Sequence, residues 1–166
     1  VPPTLTAVYL DGKKAPEIDG RDMDDTWDIA LETKVPTWQI NDGTPQPGTK
    51  IYIRAVYSDT QIYFVFRWPD KTRHDRMGQW RFSNGRWQAK AEWPDALSLH
   101  WQATAKVDDF GLGGCAVLCH TTGRFKKFPR MATRQEDALV DEWYWNAFVA
   151  EKGGRPGDGF LDNQVK

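Results

Sequence analysis

The chain has 166 residues and a mass of 19.1 kDa, a size that suits one domain with a tail. Its 22 Lys and Arg against 23 Asp and Glu leave a formal charge of −1. That balance speaks against a nucleic-acid binder or a polybasic membrane-surface protein, both of which need a basic excess, and no apolar run is long enough to span a bilayer.

In chain order, Thr6 to Leu10 reads as a short β stretch, with turns at Asp11-Gly12 and Asp19-Gly20. Residues 25–30, around Trp27, suit a single helical turn. Residues 34–40 alternate weakly and predict a strand interrupted by Pro36. Asp42-Gly43, Thr44-Pro45 and Pro47-Gly48 predict a loop over residues 41–48. Two aromatic, β-branched runs follow, residues 50–57 and 61–68, separated by Ser58-Asp59-Thr60. They predict a β-hairpin.

Residues 69–93 mix charge with Trp80, Trp87 and Trp93 and read as irregular. Residues 96–103 predict a further strand. Residues 121–136 read as a basic, polar loop, and Glu142 to Ala147 as a late strand. Beyond residue 150 the composition turns to Gly, Pro and Asp, which predicts a loose tail. The domain expectation is a β domain over residues 1–150, then a tail over 151–166 that continues into more chain in a longer protein. The start at Val1-Pro2-Pro3 reads as a processed or cut end, and no signal peptide is visible. No long amphipathic helix and no internal repeat is evident. Several strands with Gly- and Pro-rich connections predict a mainly β fold, an antiparallel β-sandwich with long loops. Nine Trp are a heavy load, suited to a flat prosthetic group or a sugar.

The only two cysteines lie close together in Cys115-Ala116-Val117-Leu118-Cys119-His120. Two cysteines followed directly by His form the attachment signature of c-type haem. The thiols add to the porphyrin vinyl groups, and the imidazole reaches the iron. Here three residues separate the cysteines instead of two, so the extra one must bulge outward. Gly113-Gly114 beside the motif permits close approach of a flat ligand. The same residues would also serve as a small apolar Cys pair, a local disulfide, or part of a zinc site to which only His74 and His100 could add. With haem, a second axial ligand is needed. Met131, eleven residues after His120 on a Pro-bearing loop, is the first candidate, and His74 is the fallback. On strand alternation His100 shares a face with Ser98 and Gln102, which suits a half-exposed or hydrogen-bonded imidazole. Arg124, Lys126, Lys127 and Arg130 form a basic cluster just after the motif, suited to a docking rim or to haem propionates.

Four stretches resemble one family. They are Ile18-Asp19-Gly20 with Trp27; Tyr63 to Thr72 with its Phe66-Arg67-Trp68-Pro69-Asp70-Lys71-Thr72; Cys115 to His120; and Asp141-Glu142-Trp143-Tyr144-Trp145-Asn146-Ala147. The chain resembles the haem-binding domain of the ethylbenzene dehydrogenase γ-subunit-like family, with relatives in dimethylsulfide dehydrogenase and in selenate and chlorate reductases. The resemblance implies an immunoglobulin-like β-sandwich with haem at one end. It also implies an extracytoplasmic, periplasmic electron carrier rather than an enzyme. Its b-type members bind haem through Met and Lys. This chain has Asn146 where many carry Lys, and it has Cys115, Cys119 and His120 besides. The expected function is that of a c-type cytochrome with one covalent haem c, passing electrons to or from a protein partner. The alternative is a carbohydrate-binding β-sandwich module, to which the Asp19-Gly20 opening and the Trp load are also suited.

Overall fold

The computed structural model describes residues 3–41, 44–90, 93–104, 107, 110, 133, 137–150 and 152–161. The fold is mainly β, as the sequence predicts, and its strand pairings are antiparallel except for the first strand, Ala7–Tyr9, which pairs in parallel with Ala55–Tyr57; this is in keeping with a β-sandwich. The strands fall into two compact units, Val1–Lys71 and Thr72–Lys166.

The first unit is built on a long strand, β3 (Thr44–Tyr57), which pairs with β1 (Ala7–Tyr9), β2 (Thr33–Asn41) and β4 (Ile62–Arg67). The β3–β4 hairpin is the one predicted, closed where the Ser58 amide donates to the Gln61 carbonyl at 2.8 Å. The register of β2 against β3 shifts between Pro36 and Trp38, at the proline that interrupts the pattern. The irregularity is accommodated opposite Gly48, where a Cβ would lie 2.5 Å from the Thr37 hydroxyl oxygen. The predicted loop over residues 41–48 is corrected, because Thr44 to Gly48 belong to β3. Their prolines are tolerated because β4 pairs only with Tyr52 to Tyr57, so this end of β3 has β2 as its partner and needs few amide donors.

A 3-10 turn, Asp25–Ile29, delivers Trp27 into the core of this unit. Trp27 packs there with Leu10, Ala30 and Val56, flanked by Tyr63 and Val65. The Tyr9 hydroxyl donates to Asp59 at 2.8 Å, and that carboxylate holds the phenol above its ordinary pKa range.

In the second unit, β5 (Gln79–Ser83) and β6 (Arg86–Lys90) pair as a two-stranded hairpin. Residues 69–93 are therefore not wholly irregular. Asn84 and Gly85 both have positive φ, 53° and 73°, the two-residue Asn-Gly turn whose twist matches the flanking strands. The other sheet has the order β7 (Ala96–Gln102), β8 (Val140–Asn146), β9 (Gly157–Leu161). The tail expectation is corrected over Gly157–Leu161, which pairs antiparallel with β8 from Tyr144 to Val140. Val140 packs with Val107, Ala138, Phe110 and Leu161.

Strand β8 runs directly into a single helical turn, α1 (Ala147–Ala150). The buried Asn146 side chain accepts from the Val149 amide at 2.9 Å, an N-cap. Asn146→Ala should lower stability by about 1 kcal/mol, and Asn146→Asp by much less. Chemical denaturation of both variants checks this, and equal losses would count against a capping role.

Candidate functional site

Cys115, Cys119, His120 and Met131 lie outside the described residues, as do Arg124, Lys126, Lys127 and Arg130. The described structure fixes what surrounds that segment in sequence: β7 before it and β8 after it, paired in register from Ala96↔Asn146 to Gln102↔Val140. The long connection between these two neighbouring strands therefore carries the whole cysteine and histidine motif.

The late family motif is explained by strand geometry. Trp143 and Trp145 alternate along β8 and share one face, opposite Leu99 and Leu97. Trp143 also meets Trp101, with ring centroids 5.4 Å apart. Glu142 points to the other face, opposite His100. There the His100 Nε2 lies 3.1 Å from Glu142 Oε1, and the Ser98 hydroxyl donates to the same oxygen at 2.7 Å. Ser98 Oγ is also 2.9 Å from His100 Nε2. His100 is thus a hydrogen-bonded sheet residue, as its alternation implies. All three groups converge through one imidazole nitrogen, so the trio lacks the acid-on-Nδ1, hydroxyl-on-Nε2 relay of a hydrolase.

The fallback ligand His74 is described. Its Nδ1 lies 3.2 Å from the Thr72 hydroxyl and 3.6 Å from Asp95 Oδ1. Its backbone amide donates to Asp95 Oδ2 at 3.2 Å, and its carbonyl accepts from the Asp95 amide at 2.8 Å. The side chain is 46% exposed. The ring is therefore oriented through Nδ1, which leaves Nε2 for a ligand, the arrangement common among metal-binding histidines. The sequence gives no sign of Asp95 as its partner. Among the described residues no group of three or more His, Cys, Asp or Glu could hold a metal ion, and no helix is long and apolar enough to cross a membrane.

In the first unit, the Tyr63-to-Thr72 stretch contributes Arg67, which reaches Glu32 at 2.6 Å and Asp22 at 3.4 Å. Arg54 stands 3.7 Å from the same Glu32. Arg67 of the family-like stretch is thereby accounted for by a charged cluster on the sheet, while Phe66 stacks on Phe64 with ring centroids 6.0 Å apart. Arg67 is half-exposed, so Arg67→Ala should cost at most about 1 kcal/mol. A larger loss in a thermal melt would show that the cluster does more than pair charges.

The described structure is mainly β, and the connection between β7 and β8 carries the cysteine and histidine motif in sequence. The chain belongs to the ethylbenzene dehydrogenase family, whose model matches residues 24–165. That family is the γ-subunit-like haem-binding domain found in oxidoreductase complexes. Comparison with curated proteins and with solved structures finds no match.

Proposed function

We propose that the chain is a c-type cytochrome domain that carries electrons through one covalently bound haem, with no catalysis of its own. The observation that supports this most is the donor set Cys115, Cys119 and His120 within a family of haem-binding domains. Haem supplies a reversible one-electron change at its iron. Cys115 and Cys119 would anchor it through thioethers, which add S–H across the vinyl groups with no net oxidation. His120 would supply an imidazole nitrogen to the iron. Thioether formation takes place outside the cytoplasm in bacteria, so the reading carries an extracytoplasmic location with it. The carbohydrate-binding alternative leaves this donor set unused.

Met131 is the proposed sixth ligand. Eleven residues from His120 reach about 36 Å when extended, ample to pass round a haem edge. Sulfur favours the ferrous state and raises the potential relative to two nitrogens. The orientation of His74 by Asp95 and Thr72 favours it as a second reading. The two are separated by spectra of the oxidised protein. Met131→Ala should remove the weak sulfur-to-iron band at the red end and lower the potential, while His74→Ala leaves both unchanged. The opposite pattern would assign the position to His74. Absence of any reversible one-electron titration in the unaltered protein would remove the electron-carrier reading itself.

A further inference from the structure

The chain has four asparagines, and only Asn84 is followed by glycine. Asn84 and Gly85 form the two-residue turn of the β5–β6 hairpin, with Ser83 registered opposite Arg86. Both turn residues are exposed, and both have positive φ. The hydrogen bond that closes such a turn joins the residues flanking it, here Ser83 and Arg86, so the Gly85 nitrogen is not tied into the ladder. Nor is that nitrogen shielded: Gly85 has no side chain, and a Cβ placed there would meet nothing within 4 Å.

Little holds the ribbon around this turn. Among the described residues β5 and β6 hydrogen-bond to each other and to no third strand. A lone two-stranded hairpin is marginal in water, so it opens locally at low cost. Its large side chains add little burial, since Trp80 is 68% exposed, Phe82 59% and Trp87 65%. Phe82 is registered opposite Trp87, and their rings meet edge to face at 5.4 Å, next to the turn.

We propose that Asn84 is a site of spontaneous covalent modification, at which the Gly85 backbone nitrogen attacks the Asn84 side chain and the hairpin loses its turn. The nitrogen bonds to Cγ, the bond from Cγ to Nδ2 breaks, and Nδ2 leaves as ammonia with the proton of the Gly85 amide. Water then adds to either carbonyl carbon of the five-membered imide ring, and the ring C–N bond at that carbon breaks. One product is aspartate. The other is isoaspartate, whose main chain runs through Cβ and Cγ. Nothing is oxidised or reduced. Ring closure holds the Asn84 ψ far from the value of about +30° that this turn type needs. The reaction therefore proceeds from the opened hairpin, and its rate follows the open population. Isoaspartate lengthens the main chain by one atom within the turn, so Ser83 and Arg86 no longer close in register and the Phe82–Trp87 contact is lost. The aspartate product keeps the turn, because Asp-Gly suits the same geometry. None of these steps depends on bound haem.

The test is to age the purified protein in warm, mildly alkaline buffer, with and without denaturing urea, and to map its peptides by mass. The peptide carrying residue 84 should gain about 1 Da as an amide becomes an acid, ahead of those carrying Asn41, Asn146 and Asn163. Its rate in the folded protein should lie within about tenfold of its rate in urea. Gly85→Ala should slow the reaction about tenfold or more, and this is read in urea, where folding of the variant does not matter. Isoaspartyl methyltransferase should label the aged protein at residue 84. Amide hydrogen exchange across residues 79–90 should quicken in the labelled fraction and stay as in fresh protein for Asn84→Asp. A folded-state rate further below the rate in urea would show that the hairpin stays closed, and would overturn the proposal. So would an undiminished rate in Gly85→Ala, or unaltered exchange in the isoaspartyl fraction.

Discussion

Replacing Cys115 and Cys119 together with alanine should abolish haem staining of the polypeptide on a denaturing gel. Thioether bonds survive boiling in detergent, whereas an iron–imidazole bond from His120 does not. The double variant would hold any haem through coordination alone, and detergent would send it to the dye front. Each single variant keeps one thioether, so its band should still stain. The expected pattern is a threshold: staining with either cysteine, none without both. Staining that persists in the double variant would place the attachment elsewhere.

Trp27→Ala should destabilise the first unit by about 3–5 kcal/mol, the cost of emptying a packed aromatic site. Trp27 is only 2% exposed and ties the 3-10 turn to Leu10, Ala30 and Val56. For a chain of this size the melting point should drop by on the order of 10 °C. Its indole Nε1 is buried and has no hydrogen-bond partner among the described residues. Trp27→Phe therefore keeps most of the packing and removes an unpaired donor, and should cost less than about 1.5 kcal/mol. Equal losses from both substitutions would mean that the ring edge bearing Nε1 carries the packing.

The parts legible in the sequence are those governed by neighbours along the chain. The β3–β4 hairpin announces itself through two aromatic, β-branched runs and a short polar turn. The alternation of β7 is enough to put His100 on one face with Ser98. It does not reveal the cross-strand partner Glu142, because register across 42 residues of chain is a tertiary property. Pro45 and Pro47 mislead, because a proline-bearing segment is acceptable in a strand whose far side has little to pair with. The β5–β6 hairpin hides behind interleaved Trp and Arg, although Asn84-Gly85 between alternating aromatics is a turn signal in its own right. The Gly-rich β9 has little strand propensity and is held by its pairing with β8. Of the candidate site, Cys115, Cys119 and His120 adjoin in sequence, so the proposed haem chemistry is read from the sequence itself, and these residues lie outside the described ones. The setting of His74 is not legible there, since Asp95 is 21 residues away.

The most direct measurement is acid–acetone extraction of the unaltered protein, with a pyridine haemochrome spectrum of both phases. The colour should remain wholly with the precipitated polypeptide, and intact mass should exceed the 19.1 kDa chain by one haem. Colour passing into the acetone, with the polypeptide left at the mass of the bare chain, would contradict covalent attachment through Cys115 and Cys119.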